Sequence, residues 1–444
     1  MLYNFLHFLF GLTVKGYFHA IYTKGKEQVP EKGPVIFAPN HPSAFMDPIL
    51  LSTEIDRKLF FLARGDIFMK PLAAKIFSGL NMIPVYRKGE VQDHGDKNDM
   101  VFQKCFEHLA EGKALMIFPE GVSKTERKLR PLKTGIARIA LGAEAIHQFS
   151  LGVKIIPVGI NYSDPHTFRS VVLANFGKPI EVTEFKDLYE LDERKAVETL
   201  TEKLKTELEK LLVLLQDENL ENLIRQIKQL YQSQIEDSSE FENEGMQAFQ
   251  LSKEIISAVE YHSMQNPERV KAFQSKINAY MKGLQKLKIR DEQVVGSKLN
   301  REAFKSYIFL LAGLPLFLFG LITNYLPYRL AGTIFKLIPA REDFVGSIKI
   351  GISMLVFLVS YFIEAGVVGI YTNVWWAMLF FISLYPAGLF VMVFTNRFYN
   401  VKSSRWYERL FMRKRDLVNK LKSTRLHLID ELEKGRFEYL KSKK

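Results

Sequence analysis

Three tracts near the C-terminus restrict this chain most: residues 307–325, 350–371 and 374–394 are apolar and each long enough to cross a bilayer. In lipid the backbone must satisfy its own hydrogen bonds, so tracts of this kind are expected to be helices. The charges around them set an expected topology. The turn 371–374 is uncharged and is expected to face away from the cytoplasm. The linker 328–349 carries Arg329, Lys336, Arg341 and Lys349 against Glu342 and Asp343, and residues 397–444 hold 15 Lys/Arg against 6 Asp/Glu. Both are expected on the cytoplasmic side. Three simple crossings from a cytoplasmic domain would leave the tail outside. Residues 307–339 are therefore expected to form a hairpin or re-entrant pair broken around Pro327, with only the last two tracts crossing fully. Glu364 is costly inside a span; it is expected to face protein, a polar groove or bound lipid, or to be neutral and structural.

The formal charge of +12 is concentrated in that tail. A basic block beside apolar spans points to anionic lipid headgroups as partners, not nucleic acid. Cys105 is the only cysteine, which excludes an intrachain disulfide and a cysteine metal cluster. Within residues 100–109 it reads as a small apolar residue on the inner face of a helix. Residues 1–22 are apolar and aromatic but interrupted by His7, Lys15 and His19. They lack the basic start and small-residue cleavage site of a signal peptide and read as an interfacial or re-entrant anchor, with a buried soluble helix as the alternative.

Residues 30–180 alternate short apolar runs with helical patterns. Strands are expected at 35–38, 59–63, 82–86, 114–118, 155–160 and 171–176, with helices at 44–52, 66–77, 97–110 and 134–147. The alternation predicts an α/β domain with a largely parallel sheet and sites at strand ends. From 182 to about 306, Glu, Lys, Leu and Gln with periodic Leu/Ile predict amphipathic helices forming a cap or lid.

Four segments of the α/β region carry polar groups beside strands. The run 34–38 delivers His41 into a turn, where Pro42 biases it away from helical angles and Ser43 is a good N-cap for the helix that follows. Asp47 in that helix's first turns could swing back toward the imidazole, and such a pair suits a general base: one nitrogen takes a proton while the carboxylate fixes the tautomer. Arg87 ends the run 79–87 and offers a donor fork suited to phosphate, although taken singly it reads first as a solvated strand-end arginine. Glu120 and Gly121 follow the strand at 114–118; Glu120 could accept hydrogen bonds from substrate hydroxyls or brace the turn. Lys133 beside helix-opening amides near Thr134 and Gly135 makes a candidate anion site. Pro157 interrupts an apolar strand and implies an edge or a wall, or else simply a core strand that carries a proline.

In order along the chain, Asn40-His41 with five residues before Asp47, the Arg87 segment, Phe118-Pro119-Glu120-Gly121 and Ile156-Pro157-Val158 resemble the glycerolipid acyltransferase family, which comprises glycerol-3-phosphate and 1-acylglycerol-3-phosphate acyltransferases. The commonest family motif places four residues between His and Asp. A six-residue offset is about 600° of ideal helix, so His41 must precede the helix. The longer spacing and the C-terminal apolar tracts look like a glycerol-3-phosphate or dihydroxyacetone-phosphate acyltransferase branch.

The resemblance implies His41 as general base and Asp47 as its orienting partner. It implies acceptor contacts from Asn40, Arg87 (phosphate), Glu120 and Gly121, and an acyl site shaped by Pro157, while Lys133 as a phosphate ligand follows from the helix-start argument. It implies acyl transfer from an acyl-CoA or acyl-carrier-protein thioester to a glycerophosphate or lysophospholipid hydroxyl, with no metal and no tightly bound cofactor. The oxyanion would need donors, and backbone amides after His41 are candidates. A non-catalytic lipid-binding scaffold is the alternative. The expected organisation is a membrane-anchoring helix (1–29), an α/β acyltransferase domain (30–182), an amphipathic helical region (183–306), transmembrane or re-entrant helices (307–396) and a basic amphipathic tail (397–444), with the catalytic domain on the cytoplasmic face.

Overall fold

The apolar runs of the first half are continuous, not alternating, because the sheet they form is covered on both faces. The computed structural model describes residues 2–85, 94–235, 241–295 and 299–443. The chain divides into two units, residues 1–214 with 335–354 and residues 215–334 with 355–444. The first unit holds strands β1 (Ala20–Lys24), β2 (Val35–Pro39), β3 (Leu59–Arg64), β4 (Met82–Val85), β5 (Ala114–Met116), β6 (Lys154–Tyr162), β7 (Val171–Phe176) and β8 (Ile180–Glu181). Its helices are α1 (Leu2–Tyr17), α2 (Met46–Glu54), α3 (Pro71–Gly79), α4 (His94–Ala110), α5 (Gly135–Ile146), α6 (Lys186–Leu191) and α7 (Glu193–Leu211). The sheet order is β1-β7-β6-β2-β5-β3-β4, with β8 beside β6. Every neighbouring pair from β6 to β4 is parallel, whereas β7 and β8 run antiparallel to β6.

Side chains alternate between two cores with the period of two that a strand imposes. Val35 and Phe37 join Val14, Phe18, Met46, Leu50 and Leu51 on the α1/α2 face. Ile36 and Ala38 join Leu109, Ile139, Leu200 and Leu204 on the α4/α5/α7 face. Cys105 lies in that second core, as its neighbours in sequence suggest. The six expected strands are present, with β6 longer at both ends and β5 shorter; residue 86 lies outside the described residues.

Several expectations are corrected. The apolar start is not one anchor: α1 ends at Tyr17 and residues 20–24 form edge strand β1, paired with β7. The partner lies about 150 residues away, so nothing local announces the pairing. Val14 and Tyr17 are buried in the core, while Phe5 and Phe8 are exposed.

Pro157 is not at a sheet edge. It sits inside β6 where the strand changes partners, after β8 has paired with Lys154 and Ile155 and before β7 pairs from Val158 onward. The missing proline N–H falls in that gap, and the Pro157 carbonyl accepts from Gly177 N–H at 2.9 Å. A central strand thus tolerates a proline because no ladder bond is asked of it there.

Residues 183–214 are not part of a lid. Ala196, Val197, Leu200, Leu204 and Leu208 bury one stripe of α7 against the sheet. Asn161 closes the helix end, donating to the Leu211 carbonyl and accepting from Val213 N–H, both at 2.9 Å.

The second unit holds α8 (Glu221–Ile235), α9 (Phe241–Gln265), α10 (Pro267–Leu287), α11 (Asp291–Val295), α12 (Leu299–Lys336), most of α13 (Val345–Tyr371), α14 (Val374–Arg413) and α15 (Arg415–Ser442). The basic tail is not a separate segment. Val418, Leu421, Leu428 and Tyr439 on α15 are buried, and α15 packs on α9 and α10. Arg425 reaches Asp291 at 3.0 Å and the Leu230 carbonyl at 3.0 Å, and Asp291 also accepts from Tyr280.

Three helices, over residues 305–336, 342–371 and 374–413, are long and apolar enough to cross a membrane. The expected pair around Pro327 is not two separate helices: α12 stays helical through Pro315 and Pro327, with no unwound residue between them. An interior proline removes one helical bond, whereas unwinding in an apolar medium would strand several. Ser306 bonds Arg397 and Asn324 bonds the Leu384 carbonyl, so α12 and α14 are antiparallel. Asn373 caps α14 through the amides of Trp375 and Trp376, and both indoles are exposed beside the uncharged turn. Glu364 turns its Oε2 into the protein, where it has no hydrogen-bond partner among the described residues.

Candidate active site

Three adjacent parallel strands end at the same edge of the sheet. β6 delivers Tyr162, β2 delivers Asn40 and His41, and β5 leads into Phe118–Gly121. Ligand sites of open α/β sheets collect at such carboxyl ends.

His41 precedes α2, and Asp47 sits in its first turn. The chain between them turns through Ala44, whose φ of +34° is unusual for a residue with a side chain. That turn lets Asp47 reach back: its Oδ2 lies 2.8 Å from His41 Nδ1 and accepts Ser43 N–H at 2.8 Å. Ser43 therefore serves the carboxylate and not the helix. The N-cap is Phe45, which makes no side-chain bond. Tyr162 donates to Asp47 Oδ1 at 2.9 Å. Three donors converging on a fully buried Asp47 are what an ionised carboxylate accepts. Burial and the neighbouring Asp47 push the Tyr162 hydroxyl well above its ordinary range, so it stays a donor. With Nδ1–H directed at Asp47, Nε2 is the imidazole's acceptor. The ring stacks on Phe118 with centroids 3.9 Å apart.

The surroundings fix His41 through its backbone. Its N–H donates to Glu120 Oε1 at 2.8 Å, and its carbonyl accepts Lys124 N–H at 3.1 Å. Glu120 Oε2 accepts Arg130 N–H at 3.3 Å. Both oxygens of this buried carboxylate are thus engaged by backbone, and in this structure Glu120 braces the turn. Burial raises its pKa, and the amides of His41 and Arg130 oppose that rise.

Asn40 is corrected in the same way. Its Oδ1 accepts Ile160 N–H at 2.7 Å and its Nδ2 donates to the Ile160 carbonyl at 3.1 Å, so the amide clamps β2 to β6 instead of facing a substrate. The amides of His41, Ser43 and Met46 all have acceptors, and Pro42 has no N–H, which removes them as oxyanion donors.

Gly121 adopts φ +70°, the left-handed region that glycine enters without strain, and its N–H closes the turn onto the Phe118 carbonyl. Lys133 N–H donates to the Pro119 carbonyl at 2.7 Å, which brings the lysine stem beside Gly121 with its side chain exposed. The α5 start that follows has no side-chain cap from Thr134. Pro157 lies one residue before Val158, which accepts Asn40 N–H at 3.3 Å. Arg87 lies outside the described residues.

Sequence reasoning missed Tyr162. Its one signal was a tyrosine closing an apolar strand, and its meaning depends on β6 lying beside β2.

Residues 20–161 match the family model described as Acyltransferase. Glycerol-3-phosphate O-acyltransferase 1 of Saccharomyces cerevisiae is 25% identical over 387 residues, covering 68% of this chain and 49% of that protein. The yeast glycerol-3-phosphate O-acyltransferase 2 is 32% identical over 136 residues, covering 30% of this chain and 18% of that protein. A chloroplastic 1-acyl-sn-glycerol-3-phosphate acyltransferase of Arabidopsis thaliana is 26% identical over 142 residues, covering 32% of this chain and 36% of that protein. Each match spans half or less of the relative's own length. Residues 20–161 thus match an acyltransferase family model, and the relatives the chain is similar to are glycerol-3-phosphate and 1-acylglycerol-3-phosphate acyltransferases.

Proposed function

We propose that the protein transfers a fatty acyl group from a thioester, acyl-CoA or acyl-carrier protein, to a hydroxyl of glycerol-3-phosphate or a related glycerophosphate such as a lysophospholipid. The supporting observation is the dyad: His41 Nδ1 is 2.8 Å from Asp47, which leaves Nε2 to accept a proton. In this reading Nε2 takes the acceptor hydroxyl's proton as its oxygen attacks the thioester carbonyl. The tetrahedral intermediate then expels the thiolate, which receives the proton from the imidazolium. Asp47 holds the tautomer throughout and stabilises the transient cation. Arg87 and Lys133 take the acceptor's phosphate, Gly121 gives it close approach to the backbone, and Pro157 shapes the acyl side.

The reading extends to the membrane. The catalytic unit faces the cytoplasm, α13 and α14 cross, α12 bends at its interior prolines and returns to the cytoplasmic side, the exposed aromatic start of α1 rests at the interface, and the basic tail 397–444 meets anionic headgroups. The direct test uses the full chain in detergent with a labelled acyl thioester and a panel of acceptors. His41→Ala is expected to lower turnover by roughly 10²–10⁴-fold while leaving the fold intact. Equal turnover by the variant would leave a lipid-binding scaffold in place of an enzyme.

A further inference from the structure

We propose that residues 341–347, which join the first two apolar helices, form a positioning strap that holds the His41–Asp47 turn in register; the inference rests on the acyl-transfer reading above. The turn needs holding. Ala44 sits at a positive φ, and such a conformation persists only where its surroundings fix it. Ser347 supplies that restraint from 300 residues away: its Oγ accepts Met46 N–H at 2.9 Å and donates to the Ser43 carbonyl at 3.3 Å. It thereby bridges the two residues that flank Ala44 and Phe45, and both serines and Met46 are buried.

The strap grips the opposite wall of the site as well. Asp343 accepts the Ser123 hydroxyl from the loop that follows Glu120, and is itself bound by Arg341 at 2.6 Å. That loop already holds the turn: Lys124 N–H bonds the His41 carbonyl, and Thr125 Oγ1 donates to the Pro42 carbonyl at 3.0 Å. Between these two polar contacts Phe344 packs edge-on against Phe45, with ring centroids 5.6 Å apart. Gly346 lies so close to the chain that a Cβ there would come within 2.5 Å of the Pro165 carbonyl and 3.0 Å of the Met46 side chain. The strap therefore ties the dyad's turn to the Glu120 loop using a segment whose two ends continue into apolar helices. None of these residues reaches the reacting atoms; they act through Asp47 and His41.

Two full-length variants test this. Ser347→Ala deletes the bridge, and Gly346→Ala lifts the strap by bulk while keeping the serine. Each is compared with wild type and His41→Ala for kcat and acceptor KM, and for amide hydrogen exchange across 43–47. Both are expected to speed exchange there and to lower kcat by about 10- to 100-fold, with KM and the thermal midpoint little changed, because misplacing a base acts on turnover. Unchanged exchange in both variants would overturn the strap, and so would faster exchange with undiminished kcat. A wild type without acyl transfer would overturn the acyl-transfer reading, while exchange would still decide whether the strap holds the turn.

Discussion

Asp47 has no freedom left in this structure. His41, Ser43 and Tyr162 each direct a hydrogen at its carboxylate, and the side chain is sealed from solvent. A buried carboxylate so held cannot rotate away from the imidazole, which keeps Nδ1 on Asp47. Tyr162 acts on the dyad through its bond to Asp47, so its deletion reads out that restraint. Tyr162→Phe is expected to lower kcat about ten-fold, the equivalent of one hydrogen bond to a charged group, with acceptor KM little changed; a steady-state comparison checks it. His41 and Asp47 were legible in the sequence because their relation is local, six positions across one turn. The tasks of Asn40 and Glu120 were not. Their residue types suit substrate binding, but both are engaged by backbone groups on strands or loops that only the fold brings near.

At the scale of elements, the helices of the second unit show how a basic sequence can be internal structure. Arg425 belongs to the tail that composition assigns to lipid headgroups, yet it is buried against Asp291 and the Leu230 carbonyl. Replacing one member of a buried pair strands the other charge away from water. Arg425→Ala is expected to destabilise the helical unit by about 3–5 kcal/mol, measured by denaturant or thermal unfolding, whereas replacing exposed Lys420 should cost little. The amphipathic stripes of α7 and α15 were readable as stripes. Which surface each stripe covers was not, because a periodic pattern specifies a face and not its partner; α7 covers the sheet and α15 covers α9 and α10.

For the whole molecule, the proposed orientation can be checked with the chain's own chemistry. Burial pushes the Cys105 thiol up to about 12, so the single native cysteine should ignore a maleimide until the protein unfolds. Single cysteines can then report sidedness against a silent background. With an impermeant reagent on intact cells, Thr372→Cys in the uncharged turn should label from outside, and Asn419→Cys on α15 only after permeabilisation; the reverse pattern would invert the topology.

The sequence by itself determined the α/β alternation, the apolar helices, the inert cysteine and the His41–Asp47 pair, since each is written in periodicity, length or short spacing. Only the tertiary structure decided that Pro157 falls in a gap of a central strand, that Tyr162 and Ser347 hold the dyad's turn, and that the tail is packed in a helical unit. Those outcomes depend on which distant strands and helices become neighbours. Neighbourhood follows from burying several faces at once, a property of the folded chain that no local stretch contains.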